Sequence, residues 1–124
     1  MSSDRILLGK SAEDLAVDFL KRQGYRIIRC NVRLKFGEID IVAREGDTLC
    51  FIEVKARLSE DFGSPLESIP FFKQRKLSKL ALAYLKKYYH KVDIKSRFDV
   101  VALAPDDRGE GTIELIRNAF DFCG

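Results

Sequence analysis

Histidine and cysteine, the usual donors of zinc centres and covalent relays, are scarce in this 124-residue chain, which has one histidine (His90) and three cysteines (Cys30, Cys50, Cys123). A histidine-based zinc site or a Cys–His couple needs partners that the chain lacks. The cysteines are odd in number and lack zinc-site spacing, so reduced thiols in a cytoplasmic protein are the simplest reading. His90 closes a lysine-rich stretch beside Tyr88 and Tyr89 and reads as a surface residue. No Gly-rich phosphate-cradling motif is present; the glycines fall at turns. No apolar run approaches the roughly 18 residues that span a bilayer. Ile6-Leu7-Leu8 is too short for a signal-peptide core, so no leader is expected. Internal repeats, linkers and low-complexity segments are missing as well.

Of the residues present, 46% are hydrophobic and 33% charged, a globular composition, and 14.2 kDa suits a single domain over residues 1–124. The formal net charge of +3 is unevenly spread. Residues 71–97 hold nine basic side chains (Lys73, Arg75, Lys76, Lys79, Lys86, Lys87, Lys91, Lys95, Arg97) against one acid, Asp93. Such a segment in an otherwise near-neutral chain suggests a polyanion-binding surface. A solvated lysine-rich helix face is the alternative.

Periodicity and turn chemistry give the element order α-β-β-β-α-β-β. A first helix is expected from about Ala12 to Gln23, with Ser11 as N-cap, Gly24 just past its end, and a stripe of Ala12, Leu15, Ala16, Phe19 and Leu20. Glu13 sits at the edge of that stripe, either favouring the helix dipole or aimed at a site. A strand is expected from Tyr25 to about Cys30, with 31–37 leading into a hairpin of 38–45 and 48–56. Residues 57–69 read as a long connection. A second helix is expected to begin with Pro70 in its first turn and run to about Tyr89, burying Leu77, Leu80, Ala81, Tyr84, Leu85 and Tyr88. Strands follow at 97–104 and 112–117, the last at a sheet edge.

The hairpin carries the most informative pattern. With Gly46-Asp47 as a two-residue turn, Glu45 faces Thr48, Val42 faces Phe51, Asp40 faces Glu53 and Glu38 faces Lys55. Alternation then puts Glu38, Asp40, Glu53 and Lys55 on one face and Ile39, Ile41, Ala43, Cys50, Ile52 and Val54 on the other. Carboxylates within apolar strands are costly unless paired or holding a metal. The lysine is expected to be neutralised by these acids in the free protein. A surface ion-pair cluster is the bland alternative. An all-oxygen site with a lysine suits Mg²⁺ or Mn²⁺ rather than zinc. It also suits phosphodiester hydrolysis, in which the ion polarises a phosphoryl oxygen and a lysine stabilises developing charge.

Asp40 followed by Glu53-Val54-Lys55 resembles the PD-(D/E)XK nuclease signature. Arg29-Cys30-Asn31-Val32-Arg33, Gly37-Glu38-Ile39-Asp40, Phe51-Ile52-Glu53-Val54-Lys55 and Arg97-Phe98-Asp99-Val100-Val101 together resemble the bacterial YraN-like family, regarded as endonucleases related to Holliday-junction resolvases. The resemblance spans Gly9 to Phe120. It implies a restriction-endonuclease-like α/β core, a mixed central sheet flanked by helices. It also implies Mg²⁺- or Mn²⁺-dependent hydrolysis of DNA, with branched DNA a candidate substrate and a 5′-phosphate product.

By the same resemblance, Asp40 and Glu53 would be metal ligands, joined by the Val54 carbonyl, Lys55 the catalytic lysine and Glu13 the helix-one acid. Ala12 departs from the glycine common before that glutamate. Lys73, Gln74, Lys76, Arg33 and Arg57 are the candidate nucleic-acid contacts. Asp99 matches the family either as a buried structural acid or as a site residue. A non-catalytic module binding nucleic acid or a repair partner is the rival reading. A homodimer would suit two-cut chemistry, although no self-complementary patch is legible.

Overall fold

The computed structural model describes residues 11–56, 69–105 and 111–123. The expected connection over 57–68, Arg57 within it, and most of the turn before the last strand lie outside these residues. Among the described residues the elements are α1 (Ala12–Arg22), β1 (Arg26–Leu34), β2 (Gly37–Glu45), β3 (Thr48–Ala56), α2 (Phe71–Tyr89), β4 (Ser96–Pro105) and β5 (Gly111–Phe120). The strands form one sheet in the order β1-β2-β3-β4-β5. Neighbours are antiparallel except β3 and β4, which run parallel and are joined across α2. A parallel pair requires such a crossover, whereas the hairpins need only tight turns.

Each helix begins and ends for a local reason. Ser11 caps α1 by accepting the Asp14 N–H at 3.1 Å, and Gly24 follows its end with φ 98°, a conformation glycine adopts without strain. Pro70 is the N-cap of α2 rather than its first helical residue, with its carbonyl accepting from the Lys73 and Gln74 N–H groups. His90, exposed as expected, closes α2 in the left-handed region at φ 60°.

The helices cover opposite faces of the sheet. Ala16 and Leu20 of α1 pack on Ile41, Ala43, Cys50, Ile52 and Val101. Leu77, Leu80, Ala81, Tyr84 and Leu85 of α2 pack on Val42, Phe51 and Phe98. Burying each such aliphatic side chain contributes about 1.5–3 kcal/mol. Ser78 is the polar exception within the α2 stripe. It is wholly buried, donates to the Gln74 carbonyl and accepts the Cys123 N–H, both at 2.9 Å. Ser78→Ala would orphan that N–H, so a loss of about 1–2 kcal/mol is expected in urea unfolding.

Two strands differ from expectation. β1 continues past Cys30 to Leu34, turning through Lys35-Phe36 into β2. Its length was masked in the sequence because it is an edge strand with exposed arginines, so it lacks a continuous apolar run. β5, at the other edge as expected, extends to Phe120 through the polar residues Arg117 and Asn118.

Candidate functional site

The predicted hairpin register holds over the turn-proximal half, from Glu45↔Thr48 to Ile41↔Ile52. There the ladder between β2 and β3 stops, so Asp40↔Glu53 and Glu38↔Lys55 are not backbone pairs. On the other side of β2, Asn31 of β1 is left-handed at φ 52° and the ladder skips the 31–40 position. The alternation of β2 changes sides across this break. Ile39 consequently lies with Val42 in the α2-side core rather than with Ile41 and Ala43, correcting the expected apolar face. Asp40 sits at the break and accepts the Val54 N–H on Oδ2 at 2.9 Å. One carboxylate oxygen thus takes the place of a strand carbonyl, and the Asp40 carboxyl also lies within hydrogen-bonding reach of Glu53.

Around this break the helices bring further charges. Carboxylate oxygens of Glu13 from α1 and of Glu38 and Asp40 from β2 lie within 4.8 Å of one another. Glu53, nearly buried on β3, is paired with Lys73 of α2, Nζ to Oε2 at 2.6 Å. A cleft of about 180 Å³ is lined by Glu38, Asp40, Glu53, Lys73 and Lys76 over a floor of Leu77 and Leu80. Gly37 forms part of the close packing beneath it, since a Cβ there would lie 3.1 Å from Leu80. Burial, with the neighbouring Glu53 and Glu13 carboxylates, pushes the Asp40 carboxyl up to about 7, against the opposing pull of the Val54 N–H. The donor set is entirely oxygen, which fits a hard divalent ion.

The candidates separate clearly. Asp40, Glu53 and Glu13 converge, and Val54 joins through its N–H bond to Asp40. Lys55 lies half-buried two residues beyond Glu53 on the same strand face and makes no ion pair with a described residue. The lysine that neutralises Glu53 is therefore Lys73, correcting the expectation that Lys55 would do so; it comes from the crossover helix, a contact no local spacing reveals. Lys76 lines the cleft. Gln74 does not reach it: Nε2 donates to the Ile69 carbonyl at 3.0 Å, and the residue faces a separate groove with Phe71 and Phe122. One position along a helix turns a side chain by about 100°, which accounts for the difference from Lys73. Arg33 is exposed and pairs with Glu38 at 3.4 Å. Glu38 was missing from the expected ligand set although it shares the alternation of Asp40.

Asp99 belongs to another assembly. Wholly buried, it accepts from the Tyr25 hydroxyl (2.7 Å), Arg97 Nε (2.9 Å) and the Asn118 N–H (2.9 Å). Arg97 also pairs with Glu45, which Arg117 grips through both carboxylate oxygens at 2.7 and 2.8 Å. Arg117, then Arg97, hold the Glu45 carboxyl down to about 2 despite some desolvation. Asp99 stands beside Ile52 in the β3–β4 ladder, one position from Glu53, but its carboxylate is taken up by Tyr25, Arg97 and Asn118 and does not line the cleft.

Residues 12–103 match the family model described as "Uncharacterised protein family UPF0102". A UPF0102 protein of Thermodesulfovibrio yellowstonii is 47% identical, covering 94% of this chain and 97% of that protein. One from Geobacter sulfurreducens is 46% identical, covering 94% and 91%. One from Caldicellulosiruptor saccharolyticus is 46% identical, covering 91% and 96%. Among solved structures, Pyrococcus furiosus SfsA in complex with Ca²⁺ is similar at a TM-score of 0.42 and 17% identity, over 91% of this chain and 63% of that one. No helix among the described residues is long and apolar enough to cross a membrane.

Proposed function

The chain belongs to the uncharacterised protein family UPF0102, and from the chemistry of its cleft we propose that it is a Mg²⁺- or Mn²⁺-dependent endonuclease of the restriction-endonuclease-like PD-(D/E)XK class, hydrolysing DNA phosphodiester bonds. The observation that carries this reading is the convergence of Glu13, Glu38 and Asp40 within 4.8 Å, beside Glu53 and two cleft lysines. These acids would hold the ion, which would supply polarisation of the phosphoryl oxygen under attack. The Val54 N–H holds the Asp40 carboxylate in place beside the other acids. Lys55, on the strand face of Glu53, is the group to steady negative charge building on the phosphoryl oxygens.

The rest of α2 suits the same substrate. It contains Lys73, Arg75, Lys76, Lys79, Lys86 and Lys87 and no acid. Phe71 and Phe72, 64% and 73% exposed, flank Lys73 at its start and offer stacking faces to bases. Phosphate contacts of this kind make affinity fall steeply with salt.

The test is cleavage of duplex, single-stranded and branched DNA with Mg²⁺ or Mn²⁺. Lys55→Ala is expected to slow cleavage by about a hundredfold or more while Mn²⁺ affinity, read by calorimetry, stays within about twofold. Equal rates for the variant and the unaltered protein would refute the assignment of Lys55. Salt-sensitive DNA binding with no cleavage under any of these conditions would favour a non-catalytic binding module.

A further inference from the structure

We propose that Lys73 is a built-in stand-in for the divalent cation: its ammonium holds Glu53 in the ion-free protein and passes to a substrate phosphate when the ion takes Glu53 over. This rests on the nuclease reading above and adds to it a coupling between ion and substrate.

Glu53 is the most buried acid of the cleft, its side chain 10% exposed, and an unpaired carboxylate there would be costly. Lys73 meets that charge at 2.6 Å yet is itself 35% exposed, so its flexible stem lies toward the open side of the cleft. The position of Lys73 on α2 supplies a second, independent reason. α1 carries Glu13 and Asp14 in its first turn, whereas the first turn of α2 has no acid. A lysine there works against the helix dipole, which favours an anion at that end. The Glu53 carboxylate supplies the missing negative charge in the free protein.

An ion that recruits Glu53 to Glu13, Glu38 and Asp40 competes with Lys73 for its charge and loosens this pair. Its loosening leaves a lysine facing the same 180 Å³ cleft, where a phosphate drawn to the ion would meet it. Ion and DNA should therefore bind with positive coupling, and the coupling is reciprocal by thermodynamic necessity. Lys76, which lines the cleft without an ion pair to a described residue, holds phosphate in either state and does not switch.

Calorimetric titration with MnCl₂ alone tests the first half. Lys73→Met, which keeps the stem and removes the charge, should bind Mn²⁺ about tenfold more tightly than the unaltered protein, and Lys73→Gln should do the same. A residue that only supported the fold would lower the melting temperature without raising Mn²⁺ affinity.

Anisotropy of a labelled branched oligonucleotide tests the second half on the Lys55→Ala background, where cleavage is suppressed. Mn²⁺ should tighten DNA binding by Lys55→Ala, and the gain should fall at least about threefold when Lys73→Met is added. If Mn²⁺ binds the unaltered protein but binds Lys73→Met no more tightly, the proposal is overturned while the nuclease reading stands. An undiminished DNA gain in the double variant overturns it as well. If neither protein binds Mn²⁺, the metal reading fails and the proposal falls with it.

Discussion

Replacing Asp99 by alanine is expected to lower the free energy of unfolding by about 3–5 kcal/mol, because it strands a buried cation and two donors at once. Arg97 Nε, the Tyr25 hydroxyl and the Asn118 N–H all terminate on this carboxylate. Arg97 retains Glu45, which keeps the cost towards the lower end of that range. A melting temperature lower by roughly 10 °C would accompany it in a chain of this size. Asp99→Asn keeps an acceptor and the shape and should cost less. Urea unfolding gives the first number. Mn²⁺ calorimetry below the unfolding transition gives the second, which should be unchanged because the Asp99 carboxylate is spent on Tyr25, Arg97 and Asn118 and does not line the cleft. A stable Asp99→Ala that no longer binds Mn²⁺ would instead make Asp99 part of the cleft.

Asp40→Asn should act in the opposite direction on stability and abolish the chemistry. The Asp40 carboxyl is raised from its ordinary 3.8 to about 7, so the fold prefers it neutral. Its ionisation therefore penalises the ion-free fold; the penalty is absent below about pH 4, grows as pH rises and is complete above about pH 7. The amide cannot ionise and still offers an oxygen to the Val54 N–H. Without divalent ions at pH 8, the variant should be more stable than the unaltered protein by about 1–2 kcal/mol, a figure discounted for the partial exposure of the group. Below about pH 4 the difference should vanish. Added Mn²⁺ should stabilise only the unaltered protein, and more at pH 8 than at pH 6, since the ion needs the ionised acid. Cleavage should fall about a thousandfold or more. An Asp40→Asn protein that is destabilised at pH 8, or that still cleaves at the original rate, would refute the role given to this carboxylate.

These two acids also mark how far the sequence could be read. Both interrupt apolar strands, and the spacing alone does not tell them apart. The hairpin register was legible because Gly46 permits a two-residue turn at φ 60° and because the flanking residues alternate cleanly. What makes Asp40 different is that the hairpin ladder ends at Ile41↔Ile52, just short of it, which the spacing of the two strands does not reveal. Two of the three partners of Asp99 lie 74 and 19 residues away, at Tyr25 and Asn118, and only the assembled sheet collects them. Lys73 is likewise 20 residues from Glu53 in the chain, brought to it by the crossover helix. The helix stripes were largely legible, because periodicity reports which face is buried; in α1, Val17 rather than the expected Phe19 joins Ala12, Leu15, Ala16 and Leu20 against the core.

Asn31 and Asn118 have a consequence for the sheet itself. The two outermost strands each contain one of them, both at φ 52°: Asn118 within the irregular stretch of the β4–β5 ladder, and Asn31 at a skipped pair just past the register shift between Ile27 and Arg29. An incoming strand from another molecule needs a straight, unbroken row of donors and acceptors along the rim, and on both rims that row is bent at an asparagine. The sheet is thereby guarded against growth by strand addition at either end, and two copies of this chain would meet more readily through helices and loops than by fusing their sheets.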